Sequence, residues 1–117
     1  MSRRGANNAR GRWGEDRAAE WYRARGYLIV ARNWRHGRHG EIDLIARRDD
    51  VVVVCEVKAR ANDYFGHPAL AVDQRKQSRL RRLAAAWLAE HRPGRVTVRF
   101  DVAAVSGARV DVIENAF

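Results

Sequence analysis

Two short stretches of this chain contradict their own apolar surroundings. Val51-Val52-Val53-Val54-Cys55 is apolar enough for a buried strand, yet it runs straight into Glu56-Val57-Lys58. Asp43 lies thirteen positions before Glu56, inside Gly40-Glu41-Ile42-Asp43-Leu44-Ile45, and Asp49-Asp50 between the two segments reads as a tight turn. Side chains alternate across a strand, so Glu56 and Lys58 share one face while Val57 points into the other layer. A hairpin partner brings Asp43 beside them. Folding alone gives no reason for two acids and an ammonium there, where a charge must be paired or must hold a metal. The pattern predicts a central hairpin that carries a site.

With 117 residues, 46% of them apolar, the chain fits one domain with a single modest core. The formal charge is +9, and every cation except Lys58 and Lys76 is an arginine. Guanidinium groups fork onto two phosphate oxygens where an ammonium offers a point charge, so the bias suits a polyanion. A single cysteine excludes an internal disulfide, and no Cys/His spacing suits zinc. No apolar run is long enough for a membrane span or a signal peptide, so a cytoplasmic protein is the expectation.

Residues 1–12 hold four arginines and no acid, which predicts a mobile basic arm ahead of a single domain over 13–117. Apolar residues from Trp13 fall at helical spacing to Arg25, with Gly26 placed for a left-handed cap. Tyr27 to Ala31 reads as a short strand, Asn33 to Gly40 as a polar loop, and Glu41–Arg47 and Val51–Ala59 as the next two strands. Arg60 to His67 is expected as a loop, and Pro68 as the first turn of a helix reaching about His91. That helix shows Leu80, Leu83, Ala84, Trp87 and Leu88 on one stripe. Between Arg75 and Arg92 it holds six cations against one acid. Val96–Val105 follows as a fourth strand, with Val110–Ile113 as an edge strand. A helix between the third and fourth strands implies a parallel crossover.

This order, with Asp43 and Glu56-Val57-Lys58 on the central hairpin, resembles the PD-(D/E)xK nuclease superfamily of restriction endonucleases and Holliday junction resolvases. The chain is similar above all to the small bacterial proteins of the UPF0102, or YraN, family. The resemblance rests on Gly14-Glu15-Asp16, Gly26-Tyr27, Arg32-Asn33-Trp34-Arg35, Gly40 to Ile45, Glu56 to Arg60, Gly66 to Ala69, Lys76-Gln77 and Arg99 to Val102. It covers about Gly11 to Val105. The implied fold is α/β, a restriction-endonuclease-like core with a mixed central β-sheet (αβββαβ) flanked by helices.

The resemblance further implies one or two magnesium or manganese ions held by Asp43, Glu56 and the carbonyl of Val57. Lys58 would orient the nucleophile or steady the phosphate, and Glu15 would be an additional acid. Asp43 follows Ile42 where the superfamily label has proline. Gln74 and Lys76, early in the second helix, would reach the scissile phosphate, and Arg12, Arg35, Arg38, Arg60, Arg79 and Arg82 would meet other phosphates. The expected activity is metal-dependent cleavage of structured or branched DNA, with RNA as an alternative polyanion and a homodimer needed for junctions.

Two other readings stay open at this stage: a non-catalytic nucleic-acid-binding module of a repair, recombination or DNA-uptake assembly, and a basic domain that meets an acidic protein. Other residues read as structural. Asp101 is expected to partner an arginine, Cys55 to be a buried small residue, and the four histidines to lie on the surface or in core hydrogen bonds. Trp13, Trp21 and Trp87 are expected on packed helix faces. Trp34, expected in a loop between arginines, is read as packing more than as a base-stacking ring.

Overall fold

The computed structural model describes residues 2–60 and 72–117, with side chains over 11–59 and 72–117. In chain order the elements are α1 (Ser2–Ala24), β1 (Leu28–Arg35), β2 (Glu41–Arg48), β3 (Val51–Arg60), α2 (Gln74–His91), β4 (Thr97–Ser106) and β5 (Arg109–Ile113). The strands form one sheet in the order β1-β2-β3-β4-β5. Only β3 and β4 run parallel, from Val51↔Thr97 to Arg60↔Ser106. That pairing needs a connection long enough to return the chain to the same end, which the segment containing α2 supplies. This is the mixed α/β fold expected from the sequence.

A helix covers each face of the sheet. Ala18, Ala19 and Tyr22 of α1 pack with Leu44, Ala46, Val53, Cys55 and Ala103. On the opposite face, Leu80, Leu83, Ala84 and Trp87 of α2 pack with Ile42, Ile45, Val52, Val54, Phe100 and Val102. Alternate residues of β3 therefore face different helices, which is why its run from Val51 to Cys55 is apolar without interruption. Cys55 is fully buried on the α1 side, as expected.

Helix α1 ends where glycine permits. Gly26 adopts φ +85°, Gly26 N–H donates to the Arg23 carbonyl and Tyr27 N–H to the Tyr22 carbonyl, the paired bonds of a Schellman cap. Asp101, buried in β4, accepts from the Tyr22 hydroxyl at 2.6 Å, from two guanidinium nitrogens of Arg99 and from Asn115 N–H. It is the arginine partner expected from the sequence, and it also ties α1 and the C-terminal residues to the sheet.

Four expectations need correction. Helix α1 starts at Ser2 and not at Trp13, so the backbone expected as a mobile arm is helical from Ser2. Alanine and arginine favour helix and no proline interrupts them, whereas apolar spacing registers only the part that packs. Trp13 is 42% exposed, not packed. Strand β1 runs on to Arg35 because residues Arg32 to Arg35 pair with Leu44 to Glu41, so Trp34 lies in a strand and packs against the α2-side core. Helix α2 begins at Gln74: Asp73, in extended conformation, accepts the Lys76 N–H and caps it. Pro68, expected as the helix start, lies outside the described residues.

Candidate functional site

The β2–β3 ladder runs from Arg48↔Val51 to Leu44↔Cys55. Just past its end the carboxylate of Asp43, not the β2 backbone, accepts the Val57 N–H at 2.9 Å. Asp43 and Glu56 thereby come close enough for each carboxyl group to shift the other's proton affinity. Glu56 is only 5% exposed. Its Oε2 meets the ammonium of Lys76, from the first turn of α2, and lies 3.6 Å from Lys58 Nζ. Two carboxylates and two ammonium groups thus occupy one end of the central strand.

Their proton affinities are set by this crowding. Burial, then the adjacent Glu56 carboxylate, push Asp43 up to about 8. Burial would raise Glu56 as well, but the hydrogen bond with Asp43 and the two lysines outweigh it and hold Glu56 below the usual range. Lys58 is lowered by burial and by its contact with Lys76, against the pull of Glu56. Lys76 is raised despite burial, because the Glu56 carboxylate favours its charged form. Proton affinity is thus raised at Asp43 and lowered at Glu56 within one pair, and Lys58 is the lysine more readily deprotonated.

Glu15 closes the α1 side of the site. It is buried, accepts from Asn33 Nδ2 at 2.8 Å and lies 3.6 Å from Arg32 Nη2, which pairs with Asp16 at 2.7 Å. Its charge helps to raise Asp43. Gly14 lets α1 come this close: a Cβ there would stand 2.9 Å from the Ala59 Cβ. Asn33 is the site residue that sequence reasoning missed. It adopts φ +51° within β1, a conformation asparagine tolerates better than most residues, and its signals in the sequence are an amide in a segment read as loop and its place in the Arg32-Asn33-Trp34-Arg35 motif. Lys76, expected at the phosphate, touches Glu56 directly.

The remaining expected contacts are spread over the surface. Arg35 pairs with Glu41 at 3.2 Å. Arg79 lies along Gly40. Arg12, Arg38, Gln74 and Arg82 are exposed. The side chain of Arg60 lies outside the described residues. Among the described residues no three His, Cys, Asp or Glu side chains converge as a metal cage. Magnesium does not need one, since it commonly takes one or two carboxylates and completes its shell with water and phosphate. The half-buried Asp43 carboxylate beside the buried Glu56 carboxylate is a donor set that a divalent cation fits.

Fold and site together define an α/β protein with a restriction-endonuclease-like core and an acid–lysine cluster at one end of its central strands. The model of the uncharacterised protein family UPF0102 matches residues 14–105, which include the whole cluster, and the chain belongs to that family. It is 43% identical to a UPF0102 protein of Acidothermus cellulolyticus, over 96% of both chains. Against one from Frankia casuarinae it is 48% identical, over 96% of this chain and 98% of the other. With one from Beutenbergia cavernae it shares 49% identity, over 89% and 87%. No helix among the described residues is long and apolar enough to cross a membrane.

Proposed function

We propose that this protein is a metal-dependent endonuclease that hydrolyses phosphodiesters in structured or branched DNA in the cytoplasm. The observation that carries the reading is the contact of the Asp43 and Glu56 carboxylates, from neighbouring strands, beside Lys58 and Lys76. A chain of charge +9 has the long-range field to bring a polyanion to them.

Asp43 and Glu56 would hold a magnesium or manganese ion, with the Val57 carbonyl as a further oxygen. Bound there, the ion would supply Lewis acidity toward phosphate oxygens and lower the proton affinity of water. Lys58, lowered by burial and by Lys76, is suited to take or hold a proton at Nζ near the attacking water. Lys76, held in its charged form, is suited to offset charge on the phosphate. Glu15 and Asn33 act on the site through position: Asn33 fixes Glu15, whose charge in turn acts on Asp43. Exposed Arg79 and Arg82 would hold flanking phosphates. Cleavage of a junction needs two sites, and β1, an open sheet edge with Leu28 and Val30 exposed, offers a surface for pairing two copies.

The test is cleavage of labelled duplex, single-stranded, flap and four-way-junction DNA with magnesium or manganese, with Glu56→Ala alongside. Loss of cutting by about three orders of magnitude in the variant, with binding retained, is the expected result. Salt-sensitive binding with no cutting by either protein under both metals would move the reading to a non-catalytic binding module.

A further inference from the structure

The tip of the β1–β2 hairpin carries a ladder of rings that the acid–lysine cluster does not use. His39 stacks on His36, with centroids 6.0 Å apart and planes 20° apart, and His36 stacks on Trp34 at 5.7 Å and 13°. From α2, His91 meets Trp34 edge-on at 6.3 Å and stacks on Trp87 at 4.6 Å. Trp34 and Trp87 are anchored in the α2-side core, whereas His36 and His39 are exposed. Rings already aligned on a packed tryptophan need less reordering when a further planar group stacks on them, which lowers the cost of binding it.

The chemistry around the ladder favours an anionic planar ligand. Arg38 lies between the two histidines in sequence and is exposed, and Arg35 precedes them. Arg79 reaches the same hairpin: a Cβ at Gly40 would come within 3.3 Å of its Cδ. Arg79 also follows Lys76 by three residues on α2, so cations lead from Glu56 to the hairpin along one helix face. At the other end, Asn33, which holds Glu15, is the chain neighbour of Trp34. The nearest acid, Glu41, is paired with Arg35.

We propose that the His39-His36-Trp34 ladder is a stacking platform for one or two unpaired nucleobases, so that the preferred substrate carries a single-stranded segment next to its duplex. This rests on the nucleic-acid reading of the site. Ring stacking tolerates any base and gives little sequence selectivity, so the platform recognises an unpaired strand and not a sequence.

The test uses the full chain and fluorescence anisotropy in chelator, which separates binding from cleavage. The probes are a blunt labelled duplex and the same duplex with a short single-stranded overhang. Wild type should bind the overhang probe about tenfold more tightly than the blunt one, a factor typical of one stacked base. His36→Ala with His39→Ala should remove that preference and leave blunt-duplex affinity unchanged. His36→Phe with His39→Phe, which keeps rings and removes imidazole nitrogens, should restore it. Equal wild-type binding to both probes, or loss of the preference in the phenylalanine variant as well, would overturn the platform while leaving the proposed function standing. Absence of binding to either probe would overturn both.

Discussion

The Asp43 side chain accepts the Val57 backbone N–H at 2.9 Å, just beyond the last ladder pair of β2 and β3. A side chain thus satisfies a donor of the central strand at the point where its neighbour stops pairing. The bond fixes the carboxylate against Glu56, and the crowding raises the proton affinity of Asp43. The site is preorganised at the expense of local electrostatics.

Asp43 holds its proton to about 8 in the folded chain, whereas an aspartate in an unfolded chain loses it near 4. The folded state therefore binds the extra proton between those values, and stability falls as pH rises across that window. Glu56, lowered in the folded state, acts the other way and only at more acidic pH, where its stabilisation is lost. Thermal melts in chelator should decline from about pH 5 to about pH 8. Asp43→Asn keeps an acceptor for Val57 N–H and should flatten the slope. A slope equal to wild type in the variant would place the titrating group elsewhere.

Magnesium should raise the melting temperature of the wild type, because a cation that binds only the folded state adds about 2.7 kcal/mol at a hundred times its dissociation constant. Asp43→Asn and Glu56→Ala should lose this gain, and chelator should reverse it. Equal gains in all three proteins would locate the metal outside the cluster.

Gly14→Ala inserts a methyl 2.9 Å from the Ala59 Cβ, a contact that requires α1 to lift from β3. The expected cost is about 1–3 kcal/mol in urea unfolding. Since Glu15 rides on the same turn, magnesium-dependent stabilisation should weaken as well.

Asp101→Ala removes the acceptor shared by Tyr22, Arg99 and Asn115 N–H, leaving Arg99 its contacts with Glu114 and the Tyr27 hydroxyl. Leaving the buried Tyr22 hydroxyl without its acceptor costs about 1–3 kcal/mol. Denaturant midpoints should show it, while the variant's residual folded fraction should keep its metal response, because the network lies on the α1 side away from Lys76.

Arg79→Ala with Arg82→Ala should weaken DNA binding alike for all sequences. Its salt slope should become shallower by about two, one unit for each phosphate contact removed. An unchanged slope would mean that α2 faces solvent when DNA is bound.

The strands of the central hairpin, the α2 stripe and the Gly26 cap were legible because each is written in a local period or a local backbone requirement. Asp43, Glu56 and Lys58 were legible for the opposite reason: they are charges where the period demands apolar residues. The start of α1 and the extension of β1 were not, since Ser2 to Arg12 has helix-forming residues with no packing stripe and Arg32 to Arg35 becomes a strand only by pairing with β2. The start of α2 rests on the local cap at Asp73, which was overlooked in favour of Pro68.

By itself, then, the sequence determined which residues are charged against their surroundings, the alternation that places Glu56 and Lys58 on one face, and the cationic excess that selects an anionic partner. Only the tertiary structure decided that Lys76 reaches Glu56 across the α2–β3 contact, that Asn33 holds Glu15, and that His36 and His39 stack outward from Trp34. Those contacts join residues of different elements, and their closeness comes from how helices and strands pack, which no local period records.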